Sequence, residues 1–252
     1  MKHYRNADSL LKLVSYVGAV AKEPILIDGA PYGYLPPLSV TISESFYAED
    51  SCIMCGKCCL NNTQAWTQEG INQMNEVTAE NFESFGLNFE AADALKSELE
   101  ESSLNVNGKE VKFWTCQQLK KSQAFKLSWE DRGPSPRCKW LFEKDGTYRC
   151  KIHPVRPVTC GLPHIRFIQM EKTRHTIMRT AQYGRNFRLK CPITFNRISE
   201  ESIQTKIYWL KRLLDCANDL GIDTYLPEII KYLESGGRQE VTFYLDSKRK
   251  LF

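Results

Sequence analysis

The sequence predicts an α+β chain, with small antiparallel sheets and hairpins around a cysteine-rich region and helices packed at either end. Three observations carry that prediction. Residues 199–220 place Ile203, Ile207, Leu210, Leu213, Leu214 and Ala217 on one stripe at helical spacing. Asn107-Gly108 and Asp145-Gly146 each lie between short segments able to pair as hairpins. Residues 38–46 alternate apolar and polar side chains, as a half-buried strand does.

In chain order, residues 8–20 read as an amphipathic helix with Asp8 or Ser9 as its N-cap. Residues 24–28 form a short apolar run expected to be a strand, and the Gly-, Pro- and Tyr-rich residues 29–37 a loop. The strand at 38–46 leads into the first cysteines. Residues 67–102 are helical in composition, broken at Gly86. Hairpins are expected over 104–114 and 139–151, then two strands over 165–183 with a turn near Lys172-Thr173-Arg174. The helix of 199–220 ends at Gly221, which suits the left-handed position beyond a helix. A short helix over 225–233 and a strand over 241–245 complete the chain. The expected organisation is a single domain, 1–252, with a cysteine-bearing core at 46–195 and a C-terminal helical subdomain with a final strand at 196–252.

The chain has 252 residues, 42% hydrophobic and 25% charged, enough to bury a core without metal or disulfides. The net charge of +4 is mild but unevenly placed. Glu69, Glu76, Glu80, Glu83, Glu90, Asp93, Glu98, Glu100 and Glu101 face only Lys96 along one stretch. Arg166, Lys172, Arg174, Arg179, Arg185, Arg188 and Lys190 face only Glu171 along another. Two solvated faces account for this pattern; the sharper reading makes 166–190 a surface for an acidic protein or nucleic acid. No secretion signal is visible, and no apolar stretch is long enough to span a membrane, so a cytoplasmic location is expected.

The chemistry lies in the cysteines, of which there are 10. In a reducing compartment clustered cysteines read as metal ligands or redox thiols rather than disulfides. Cys52-Ile-Met-Cys55-Gly-Lys-Cys58-Cys59 is the strongest signal. A Cys-x-x-Cys turn points both sulfurs at one metal, and Gly56 suits such a turn. Cys58 and Cys59 are adjacent, so in an extended segment they point opposite ways, and one could serve a different metal or stay a thiol. Downstream come Cys138, Cys150, Cys160 and Cys191. The Asp145-Gly146 hairpin would bring Cys138 near Cys150, and the Pro154 and Pro157 turns would return Cys160 toward them.

The run Cys-x-x-Cys-Gly-x-Cys-Cys resembles the opening of a cysteine-cluster family described as zinc- or iron-chelating. Cys138-x-x-Leu141, the Asp-Gly turn, Cys150-x-Ile152, Arg156-Pro157-x-x-Cys160 and Pro163 match its later part. The resemblance covers residues 52–163 and implies that Cys52, Cys55, Cys58, Cys59, Cys138, Cys150 and Cys160 form the ligand pool. A flagellin lysine methylase with a similar cluster is regarded as iron–sulfur dependent, which implies a redox or group-transfer role on a macromolecule. Two positions depart from the family: His153 stands where Tyr is usual, and Gly161 where Arg is usual.

Cys52, Cys55 and Cys58 match ferredoxin-type spacing, while the downstream half offers no second Cys-x-x-Cys pair for structural zinc. An iron–sulfur cluster, 4Fe-4S in type, is therefore favoured, with zinc the alternative. Cys191 is the eighth thiol of the pool and is open as a ligand. His153, Arg156 and His164 are candidates for orienting the ligands, with hydrogen-bonded loop residues as the plainer reading. Cys116 and Cys216 are expected in the core, with Trp114, Trp140 and Trp209, while His3 and His175 are expected at the surface. No P-loop, G-x-G-x-x-G, H-E-x-x-H or G-x-S-x-G is present. Whether the chain is an enzyme stays open. A non-enzymatic module stapled by its metal and a Cys58–Cys59 redox sensor are the other function classes.

Overall fold

A computed structural model of the chain describes residues 3–33, 35–50, 65–77, 81, 96–116, 140–144, 147–180 and 193–245. In chain order these contain α1 (His3–Gly18), β1 (Leu26–Ile27), β2 (Ala30–Pro31), β3 (Ser39–Ile42), β4 (Ala48–Asp50) and β5 (Ala65–Trp66). Next come α2 (Gln68–Asn75), β6 (Leu99–Val106), β7 (Lys109–Cys116), β8 (Leu141–Lys144), β9 (Thr147–Cys150) and α3 (Val158–Gly161). β10 (Ile165–Met170), β11 (His175–Thr180), β12 (Ile193–Ile198), α4 (Glu200–Asp219), α5 (Leu226–Glu234) and β13 (Val241–Tyr244) complete them. The class is α+β, as expected.

The chain forms two compact units, each assembled from separate stretches. The first comprises Met1–Leu10, Cys52–Ser102 and Lys112–Gly161; the second comprises Leu11–Ser51, Ser103–Val111 and Leu162–Phe252. In the first unit, Trp66, Met74, Val77, Trp140, Ile152 and Val155 form the core, with Ile71, Leu99, Trp114 and Cys150 packed against it. β5 pairs with β7 through Ala65–Thr115 and Trp66–Trp114. β8 and β9 make a hairpin from Lys144–Thr147 to Leu141–Cys150, as the Asp145-Gly146 turn predicts. Residues 99–102, expected as helix, lie instead in β6. The β-branched and aromatic run Val111, Phe113, Trp114 and Thr115 of β7 draws β6 into a longer ladder, overriding local helix propensity.

In the second unit a four-stranded sheet has the order β10-β11-β3-β13. It is mixed rather than purely antiparallel, because β11 pairs with β3 in parallel. β10 and β11 join through a short turn in which Arg174 takes φ 48. Asn107 (φ 51) and Gly108 (φ 80) both adopt the left-handed conformation that a two-residue hairpin turn requires. Leu26 N donates to Asn107 Oδ1 at 2.6 Å, which fixes β1 against that turn. α1 begins at His3, earlier than the Asp8 expectation, because nothing in Tyr4-Arg5-Asn6-Ala7 stops a helix. The strand expected over 38–46 stops at Ile42, and Glu44–Tyr47 turn as a 3-10 helix. α4 has Ser199 as its N-cap, the side chain accepting from Ser202 N, and buries Ile203, Ile207, Leu210, Leu213 and Ala217.

Two features here flank the cysteine segments in sequence. β4 and β12 pair antiparallel, with Asp50 opposite Ile193. β12 was not expected, and a subdomain boundary at 195 would cut through it. Lys206 sits on the apolar stripe of α4 and is 1% exposed. Its ammonium donates to Phe46 O (2.8 Å), Ala48 O (3.0 Å) and Thr180 Oγ1 (2.9 Å) and lies 5.4 Å from the Phe46 ring centroid. Those bonds satisfy a charge that would be costly to bury bare. They clamp the start of β4 and the end of β11, from which the chain leaves toward the first cysteines and the later basic residues.

Candidate metal centre

Of the candidate ligands, Cys150 and Cys160 fall among the described residues. Cys52, Cys55, Cys58, Cys59, Cys138 and Cys191 lie outside them. Cys150 and Cys160 are thiols rather than half-cystines, and both are partly accessible. Cys216, by contrast, is 3% exposed and belongs to the core as expected. Cys116 ends β7 and is described by its backbone alone.

Cys150 is the last residue of β9, opposite Leu141. The ladder continues through Lys151 N donating to Trp140 O at 2.9 Å. From there His153–Val155 make a 3-10 turn, and Arg156 is extended at φ −61, ψ 148. Proline at 154 and 157 favours these conformations, having no N–H to donate and a fixed φ. Val158–Gly161 then form a single helical turn, with Cys160 N donating to Pro157 O at 2.8 Å. Cys150 and Cys160 thus stand at the two ends of one tightly turned segment of the first unit.

Trp66 anchors that segment. Its ring is 1% exposed, and its Nε1 donates to Val155 O at 2.9 Å. Gly70, one turn into α2, makes room for it: a Cβ there would meet Trp66 Cδ1 at 2.9 Å. Gly→Ala inside a helix ordinarily gains up to about 1 kcal/mol. At Gly70 the indole must move within a packed core, which costs roughly 1–3 kcal/mol. Gly70→Ala is therefore expected to lower the denaturation midpoint, and a raised midpoint would refute this packing.

His153 is pushed down to about 4, chiefly by partial desolvation of its ring and secondarily by the Arg156 guanidinium. At neutral pH the imidazole is uncharged and its lone pair is available to a metal or a thiol. An unfolded histidine protonates near 6.5 while the folded one resists. Its stability contribution is thus intact above that value and is lost as pH falls toward 4. His153→Asn is expected to flatten the decline in the denaturation midpoint between pH 7 and 4.5, and an unchanged decline would contradict the assignment.

His164 lies in the 3-10 turn Leu162–His164 of the second unit and is half-buried. Trp140 and Trp209 are buried as expected, at 6% and 5% exposure, while Trp114 is only partly so. His175 corrects the surface expectation, because its Nδ1 lies 2.7 Å from Ser39 Oγ in a part-buried position set by the register of β11 on β3. Trp66 and Lys206 were missed as positioning residues. A signal existed for Lys206, which falls three residues after Ile203 on the buried stripe of α4.

Among the described residues no group of three or more His, Cys, Asp or Glu side chains is assembled to hold a metal. The described donors of this segment, the Cys150 and Cys160 thiols and the His153 imidazole, are of the types that zinc and iron take. No described helix is long and apolar enough to cross a membrane. A family model described as "CxxCxxCC: Putative zinc- or iron-chelating domain" matches residues 51–184. No curated protein and no solved structure matched the chain.

Proposed function

The chain belongs to the CxxCxxCC family of zinc- or iron-chelating domains, and on that premise we propose that its cysteines hold an iron–sulfur cluster of the 4Fe-4S type in a redox or group-transfer protein that acts on a macromolecule. The observation that carries this reading is the spacing Cys52-x-x-Cys55-x-x-Cys58, which suits a cluster better than a paired zinc site. The ligand pool is Cys52, Cys55, Cys58, Cys59, Cys138, Cys150, Cys160 and Cys191.

The described strands support this pool. Asp50 and Ile193 are register partners, Cys52 follows the first by two residues and Cys191 precedes the second by two. The chain therefore enters and leaves its cysteine-bearing span at neighbouring positions. Cys138 precedes Trp140 by two residues, and Trp140 is hydrogen-bonded to Lys151, the residue after Cys150.

A bound cluster would supply one-electron transfer or an open iron site. The chain's own residues would bind and orient it: Cys150 and Cys160 as thiolates, the Arg156 guanidinium offsetting their negative charge, and His153 as an uncharged neighbour. Protein purified without oxygen tests the reading. About four irons and four sulfides per chain are expected, with absorbance near 400 nm. A colourless protein holding zinc alone would end the cluster reading and leave a structural staple. In that second reading the metal only closes the fold, and the basic 166–190 segment engages an acidic protein or nucleic acid. One observation favours it, the arginine pair considered next.

A further inference from the structure

The sheet of the second unit has one face in the core and one partly exposed, on which Thr41 (8% exposed) and the Arg179 Nε are covered. Ile165, Met178, Val40 and Ile42 are buried on the first. On the other, register partners line up in rows across β10, β11, β3 and β13. One row is Met170, His175, Ser39 and Tyr244. The next is Ile168, Ile177, Thr41 and Thr242. Beyond it Arg166 stands directly opposite Arg179.

Like charges directly opposite on paired strands destabilise the pair. Neither arginine has a carboxylate partner among the described residues. Arg179 Nε is buried and has no hydrogen-bond partner among them. In sequence Arg185, Arg188 and Lys190 follow β11, with no acidic residue before Ile193. An anion seated between the two guanidiniums would turn their repulsion into two charge-assisted forks. At the far end of the same face Tyr244 is 75% exposed and Met170 45% exposed. By strand geometry Tyr244 lies four residues along and two strands across from Arg179, roughly 16 Å, and three strands across from Arg166, roughly 20 Å.

We propose that this partly exposed face binds single-stranded nucleic acid, with the Arg166–Arg179 pair taking a backbone phosphate and Tyr244 stacking on a base. The inference deepens the second reading above and does not depend on which metal the cysteines hold. An acidic peptide would satisfy the arginines, but it gives no role to a sheet face ending in an exposed aromatic ring. Stacked bases use such a face directly.

The test is fluorescence anisotropy of a short labelled oligouridylate with the full-length protein as purified, across a salt series. Binding is expected to weaken with salt. Arg166→Ala with Arg179→Ala should weaken it at least roughly tenfold and reduce the salt slope by about 0.7, for the one phosphate the pair neutralises on a single strand. Arg166→Lys with Arg179→Lys should keep the slope. Tyr244→Ala should weaken binding several-fold with the slope unchanged. The double alanine variant should melt no lower than the parent, because a like-charge pair is removed. Metal content should stay constant throughout, so a loss of binding does not report on the metal centre. Unchanged affinity and slope in the double variant, a lower melting temperature that reveals a structural ion pair, or binding of poly-glutamate in place of the oligonucleotide would each overturn the proposal.

Discussion

Replacing Cys150 and Cys160 together by serine is expected to reduce bound metal to less than about a tenth of its normal content, since even changes outside the ligand shell cost about 10–100-fold in metal affinity. A serine hydroxyl is a hard, protonated donor at neutral pH, while zinc and iron–sulfur clusters take thiolate. Both sites should tolerate the smaller polar group, because neither residue is fully buried. Cys216→Ser is the matched control. That thiol is 3% exposed on α4 and has no part in the ligand pool, so its variant should lose stability and keep its metal. Elemental analysis of the three proteins side by side decides the matter. Metal retained in the double variant would remove Cys150 and Cys160 from the pool.

Trp66→Ala is expected to cost roughly 3–5 kcal/mol in chemical denaturation, the range for deleting a large aromatic side chain from a packed core. Trp66 is 1% exposed at the centre of the first unit's core, beside Met74, Val77, Trp140, Ile152 and Val155. Its indole also donates to Val155 O, so the truncation leaves a carbonyl short of its partner. Trp66→Phe isolates that bond and should cost less, about 1–2 kcal/mol for the lost hydrogen bond together with the volume change. Val155 stands between His153 and Cys160, so the alanine variant should also release metal faster to a chelator. A cost below about 1 kcal/mol would mean that Trp66 does not hold this segment.

The elements legible in the sequence are those whose signals are local. Asn107-Gly108 marks its own turn because only a residue tolerant of positive φ fits there. The stripe from Ile203 to Ala217 marks α4 because burial of one helical face repeats at fixed spacing. β4 and β12 were not legible: each is short, and each is a strand only because the other lies beside it. The conversion of 99–102 from expected helix to strand has the same origin, since its partner in β7 decides its state. At the site, the thiols and their order were visible, because cysteine spacing carries metal chemistry on its face. Their support was not. Trp66 reads as one more core aromatic until its hydrogen bond to Val155 is seen. Lys206 reads as a flaw in an apolar stripe until Phe46, Ala48 and Thr180 are found around it. The Arg166–Arg179 pair, visible only as part of a basic run, acquires meaning from strand register.

The central claim, that cysteine thiolates of this chain hold a metal, is tested most directly by X-ray absorption at the iron and zinc edges of protein purified without oxygen. The prediction is a first shell of sulfur alone, at about 2.3 Å, with Fe–Fe scattering if the metal is a cluster. A first shell of nitrogen and oxygen at about 2.0–2.2 Å, or no stoichiometric metal at either edge, would contradict it.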